Sequence, residues 1–96
     1  VIDGHGLVLT PGLVAVETHL GLAEIELETS TRDTGHESEP DAIRAAFTAI
    51  DGYNPLSTLI PVARLGGVLA AVSTPEGGLV SGTSSFVDLA GRDRSV

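Results

Sequence analysis

Leu13-Val14-Ala15-Val16 is an unbroken apolar run, set off by Pro11-Gly12 before it and by Glu17-Thr18-His19 after it. A strand with one wet face alternates apolar and polar side chains, whereas a run with no polar position is the kind that parallel sheets bury on both faces. Val68-Leu69-Ala70-Ala71-Val72 repeats the pattern between Gly66-Gly67 and Pro75. Parallel strands need a crossover between them. The stretch from Ser57 to Leu65 supplies one: Ser57 is placed to cap it, and Leu59, Ile60, Val62, Ala63 and Leu65 give a broad apolar face. Pro61 falls in its first turn, where proline is tolerated, and Gly66-Gly67 stop it. Strand, helix and strand make a right-handed βαβ unit, so the fold class is α/β.

The flanks are less regular. Val1-Ile2-Asp3 and Leu7 to Thr10 read as short extended pieces around a Gly4-His5-Gly6 turn. Leu20 to Pro40 is rich in Glu, Ser and Thr and reads as a long surface loop, with Leu22, Ile25 and Leu27 able to form one short ordered piece. Asp41 is placed to cap a short helix over Ala42 to Phe47, although Phe47 to Ile50 reads equally well as extended. Pro75-Glu76-Gly77-Gly78 is a turn, Leu79 to Gly82 and Ser84 to Leu89 read as extended chain, and the polar end from Gly91 to Val96 reads as a frayed, flexible tail.

Composition narrows what such a unit does. With 96 residues, one Tyr and two Phe, the core must come from Val, Leu, Ile and Ala. A chain of this size buries only roughly 60 to 65% of its unfolded surface. Association, with a second copy as a homo-oligomer or with the remainder of a longer chain, is therefore expected. A net charge of −8 repels phosphate backbones, so nucleic acid is not an expected partner. No apolar run approaches the roughly 18 residues of a membrane span and no basic-then-apolar leader is visible, so no membrane partner is expected either. The absence of cysteine removes thiolate zinc sites and cysteine nucleophiles.

Alternation along a strand puts Glu17 and His19 on one side, so two potential metal ligands are expected to leave the first strand together. The segment Pro11 to Gly21 resembles the first barrel strand of the amidohydrolase superfamily, where a Pro-Gly-Leu-Ile-Asp-x-His-x-His-like stretch carries two metal-binding histidines. His19 matches the second of these, and Glu17 stands at the first. Ala49 to Pro55, Ile60 to Val68 and Pro75 to Gly82 look like the imidazolonepropionase-like branch of that superfamily. The resemblance implies that residues 1–11 end a small β-sandwich, that 12–90 are the first βαβ portion of a (β/α)8-type barrel, and that 91–96 are a flexible tail. A whole barrel of this type needs roughly 250 residues. The segment is thus incomplete, closed by self-association or by further chain.

The activity implied is hydrolysis of C–N bonds in amides or cyclic amides by a water that a divalent metal, commonly zinc, activates. Only His19 carries over from the ligand set, no catalytic residue does, and the isolated chain is expected to be inactive. Glu17 has two readings: an oxygen ligand in place of the histidine, or a residual polar group at a decayed site. The second is favoured, because a two-imidazole clamp fixes the metal geometry. Two other functions stay open: a non-catalytic α/β module acting through homo-oligomerisation, and a metal-binding accessory domain using Glu17, His19 and the acidic loop. His36 with Asp33, Glu37, Glu39 and Asp41 reads as a solvated charged loop, and His5 as a turn residue. Gly77-Gly78 and Ser81-Gly82 lack a P-loop's lysine and context, and Ser84 and Ser85 lack a nucleophile elbow.

Overall fold

The computed structural model describes residues 1–34 and 43–90. Three strands and two helices build it: β1 (Leu13–Thr18), α1 (Ala49–Gly52), α2 (Leu59–Leu65), β2 (Val68–Ser73) and β3 (Ser85–Asp88). The sheet has the order β1-β2-β3; β1 pairs with β2 in parallel and β3 is added antiparallel to β2. The sheet is therefore mixed, with the expected βαβ unit as its larger part.

The same few residues stop the helix and start the ladder. Thr58 holds the first cap position of α2 without a side-chain bond, and the Ser57 hydroxyl accepts from the Leu59 N–H at 3.3 Å. At the other end the Gly66 N–H returns to the Val62 carbonyl at 3.3 Å, and Gly67 takes φ +89. A left-handed residue after a helix is the usual place for glycine, which has no Cβ to clash. The Gly67 carbonyl then accepts from the Leu13 N–H at 3.0 Å, joining the helix end to the start of β1.

One face of the sheet is covered and the other is open. Ile60 of α2 packs with Ala71, Val87 and Leu89, with Ala15, Leu20, Tyr53, Ala63 and Val68 around them. On the opposite face Val14 lies beside Ala70, and Val72 opposite Phe86. There Val14, Val16 and Phe86 remain 55%, 70% and 67% exposed. A sheet of apolar residues gains its stability by burying both faces between layers, and among the described residues this face has no layer over it.

Several expectations change. The helix expected over residues 42–47 is not formed by the described part: Ile43 bridges to Val80 and Thr48 to Thr83, with a turn between them closed by the Phe47 N–H on the Arg44 carbonyl at 2.9 Å. Backbone bonds from Arg44 to Val80 and from Thr83 to Phe47 outweigh the weak helical preference of two alanines. Helix begins only at Ala49. The loop after β1 is also more ordered than its composition suggests. The Leu22 and Ala23 N–H groups both bond the His19 carbonyl, Ala23 bridges to Arg32, and Leu22 is 2% exposed. A 3₁₀ turn at Thr29–Thr31 follows, capped by the Glu28 carboxylate. The N-terminal turn is present, with the Leu7 N–H on the Gly4 carbonyl at 2.9 Å, while Val1 to Leu9 stay exposed. Gly91 to Val96, and His36, Glu37, Glu39 and Asp41 of the acidic loop, lie outside the described residues. Among the described residues no helix is long and apolar enough to cross a membrane.

Candidate functional site at the mouth of the parallel strands

β1 and β2 end side by side, and in parallel α/β sheets the ends of such strands are where ligands bind. Three bonds fix this end. The Thr74 N–H donates to the Thr18 carbonyl at 2.8 Å, the Thr18 hydroxyl donates to the Val72 carbonyl at 3.1 Å, and the buried Ser73 hydroxyl donates to the Leu20 carbonyl. His19 follows directly and is thereby held at the mouth.

Glu17, two residues earlier, sits at a break in the ladder. The ladder is irregular between Ala15 and Thr18, and Glu17 takes φ +54, a left-handed conformation that costs a side-chain-bearing residue about 1–2 kcal/mol. That residue breaks the two-residue alternation on which the pairing of Glu17 with His19 rested. The His19 ring nitrogens face other carboxylates: Nε2 lies 3.8 Å from Glu76 Oε2, and Nδ1 lies 3.9 Å from Glu26 Oε1.

Glu76 is the hub of the mouth. Its Oε2 accepts from Arg32 Nη2 at 3.0 Å, its carbonyl accepts from Arg44 Nη2 at 2.9 Å, and its N–H donates to the Thr34 carbonyl at 2.8 Å. Segments after β1, before α1 and after β2 thus meet at one residue. Glu26, Arg32 and Glu76 were not singled out from the sequence. A signal existed for Glu76, which sits three residues past a buried-type strand and so belongs at the same end as His19. Nothing in the spacing marks Arg32, which is 44 residues from its partner.

The residues present do not fit a zinc ion as they stand. Among the described residues no group of three or more His, Cys, Asp or Glu side chains is arranged to hold a metal ion. The carboxylate nearest Nε2 already holds a guanidinium, and Glu26 lies across the ring on the Nδ1 side. The other sequence candidates have structural roles: the His5 N–H bonds Asp3 Oδ1 at 2.9 Å within the N-terminal turn, and Gly77 and Gly78 take φ +94 and +69 in a turn closed by the Ser81 hydroxyl on the Gly77 carbonyl. The Ser84 hydroxyl reaches Thr74 Oγ1 at 3.4 Å. Beneath the mouth, the Tyr53 ring lies against Gly21, and burial pushes the Tyr53 phenol above its ordinary pKa of 10.0.

No family model matches this chain, and no curated protein matches it. Among solved structures, an amidohydrolase from Thermotoga maritima MSB8 is similar, at 28% identity and a TM-score of 0.73. The match covers 83% of this chain and 21% of that one, so the chain spans about a fifth of the length of its structural neighbour. The three-strand mixed sheet with its helices is an amidohydrolase-like fold, in the part that these residues make up.

Proposed function

We propose that the chain is the first βαβ portion of an amidohydrolase-like barrel, and that the longer protein acts on C–N bonds of amides or cyclic amides. The observation that carries this is the open sheet face. Among the described residues Val14, Val16, Ala70, Val72 and Phe86 line one side of β1, β2 and β3 with no covering layer, and a closed barrel buries the part of that side made by the parallel strands β1 and β2 as its packed interior. The likeness to the Thermotoga maritima amidohydrolase supports the same reading. On it the isolated chain has no turnover, because among the described residues the mouth of the two parallel strands holds one imidazole, His19, and no group of side chains that could hold a metal ion. The test is dye binding: the 96-residue chain binds an apolar fluorophore through this face, and Phe86→Asp abolishes the signal. A 96-residue chain that is monomeric and binds no dye sinks the reading.

The open face also favours a second reading, a non-catalytic module whose uncovered sheet packs against another copy. Sedimentation separates the two, since the second reading requires a dimer at micromolar concentration that Phe86→Asp dissociates. Zinc, expected at His19 and Glu17 from the family resemblance, finds no group of three or more ligands among the described residues of this chain.

A further inference from the structure

We infer that Arg32 is the resident cation of this strand mouth, and that its guanidinium excludes a divalent metal from His19. The inference deepens the barrel reading, because that reading is what makes a metal expected here at all. Two zinc ligands at about 2.0–2.2 Å from a tetrahedral ion stand roughly 3.4 Å apart. His19 Nε2 and Glu76 Oε2, at 3.8 Å, are nearly at that separation, so this pair is the start of a zinc site. The same Oε2 is the atom on which Arg32 Nη2 sits at 3.0 Å. A metal and the guanidinium therefore compete for one oxygen.

The protein has built the guanidinium in. The Arg32 side chain is mostly buried, and its backbone is tied to the loop by the Ala23 bridge and by its N–H on the Thr29 carbonyl at 3.2 Å. Across the pair, Glu76 is held from both sides of its backbone, by Thr34 and by Arg44. Neither partner of the ion pair is on a free arm, so the cation stays in place without an added ligand. Glu26, on the Nδ1 side of the ring, does not complete a metal site with Glu76, because one ion cannot use both ring nitrogens.

The test is a zinc chloride titration by calorimetry on the full 96-residue chain and on Arg32→Gln. The wild-type chain is expected to show no His19-dependent zinc uptake. Arg32→Gln is expected to gain uptake by roughly tenfold or more, the scale on which groups neighbouring a ligand tune metal affinity. The gain is lost again when His19→Ala or Glu76→Gln is added. If Arg32→Gln does not fold, Arg32→Leu, which keeps the packing of the stem, takes its place. Wild-type uptake that His19→Ala removes, or a folded Arg32 variant whose zinc uptake stays at the wild-type level, overturns the inference. Neither result depends on the length of the native protein, so the barrel reading and this one fail separately.

Discussion

Replacing Gly21 by alanine strikes the fold at two points that can be separated. Gly21 takes φ +81, and a Cβ built there falls on Cδ2 and Cε2 of the Tyr53 ring, with Cζ 3.2 Å away. The left-handed backbone costs alanine about 1–2 kcal/mol. Displacing the ring adds about 1–3 kcal/mol, the range for overpacking. The stiffer unfolded chain returns about 0.5–1 kcal/mol. The net loss is about 1–4.5 kcal/mol, which in a domain of this size lowers Tm by roughly 4–36 °C. Two other glycines isolate the contributions. Gly67 has φ +89 with nothing near its missing Cβ, so Gly67→Ala shows the backbone cost alone, and Gly4, with neither feature, is the neutral control. The chain has one tyrosine and no tryptophan, so tyrosine fluorescence during thermal unfolding reads the Gly21 contact directly. If Gly21→Ala melts no lower than Gly67→Ala, the ring does not occupy that space and the packing under the mouth is misassigned.

Three further outcomes follow from the same packing and ion pairs. Leu89→Ala, at a core position only 1% exposed, is expected to cost about 2–5 kcal/mol in chemical denaturation, whereas Leu27→Ala, at 99% exposed, stays within about 0.5 kcal/mol. Tyr53 holds its proton more tightly folded than unfolded, so its share of the stability is complete below pH 10 and is lost as pH rises through the folded pKa. Base-titrated absorbance should place its ionisation above 10.0, and Tyr53→Phe should flatten the loss of stability over that range. Glu76→Gln, which removes the charge from a half-exposed pair, is expected to cost no more than about 1 kcal/mol in global stability while speeding hydrogen exchange at Leu22, Ala23 and Asp33; unchanged exchange contradicts the clamp.

What the sequence made legible is what local patterns encode. The runs Leu13 to Val16 and Val68 to Val72 became β1 and β2, and the Gly66-Gly67 stop became the end of α2, because each signal lies within the element it specifies. The helix expected over residues 42–47 does not form in its described part because the conformation there is set by bonds to Val80 and Thr83, which no nearby residue announces. The alternation expected to carry Glu17 and His19 out of β1 together is interrupted for a similar reason. An apolar run carries no mark of the residue at which the ladder will slip, and a single left-handed φ at Glu17 ends the alternation. The carboxylates that do meet His19 come from Glu26 in the following loop and from Glu76 past the second strand, and only the topology brings them there.

The barrel reading is tested most directly by the size of the native polypeptide that carries residues 1–96, measured by intact mass and by reading its gene through this segment. The expected result is a protein of at least roughly 250 residues that continues in an alternating strand and helix pattern and supplies the layer missing from the Val14, Val16 and Phe86 face. A native polypeptide that stops at Val96 contradicts it and leaves the open face to a second copy.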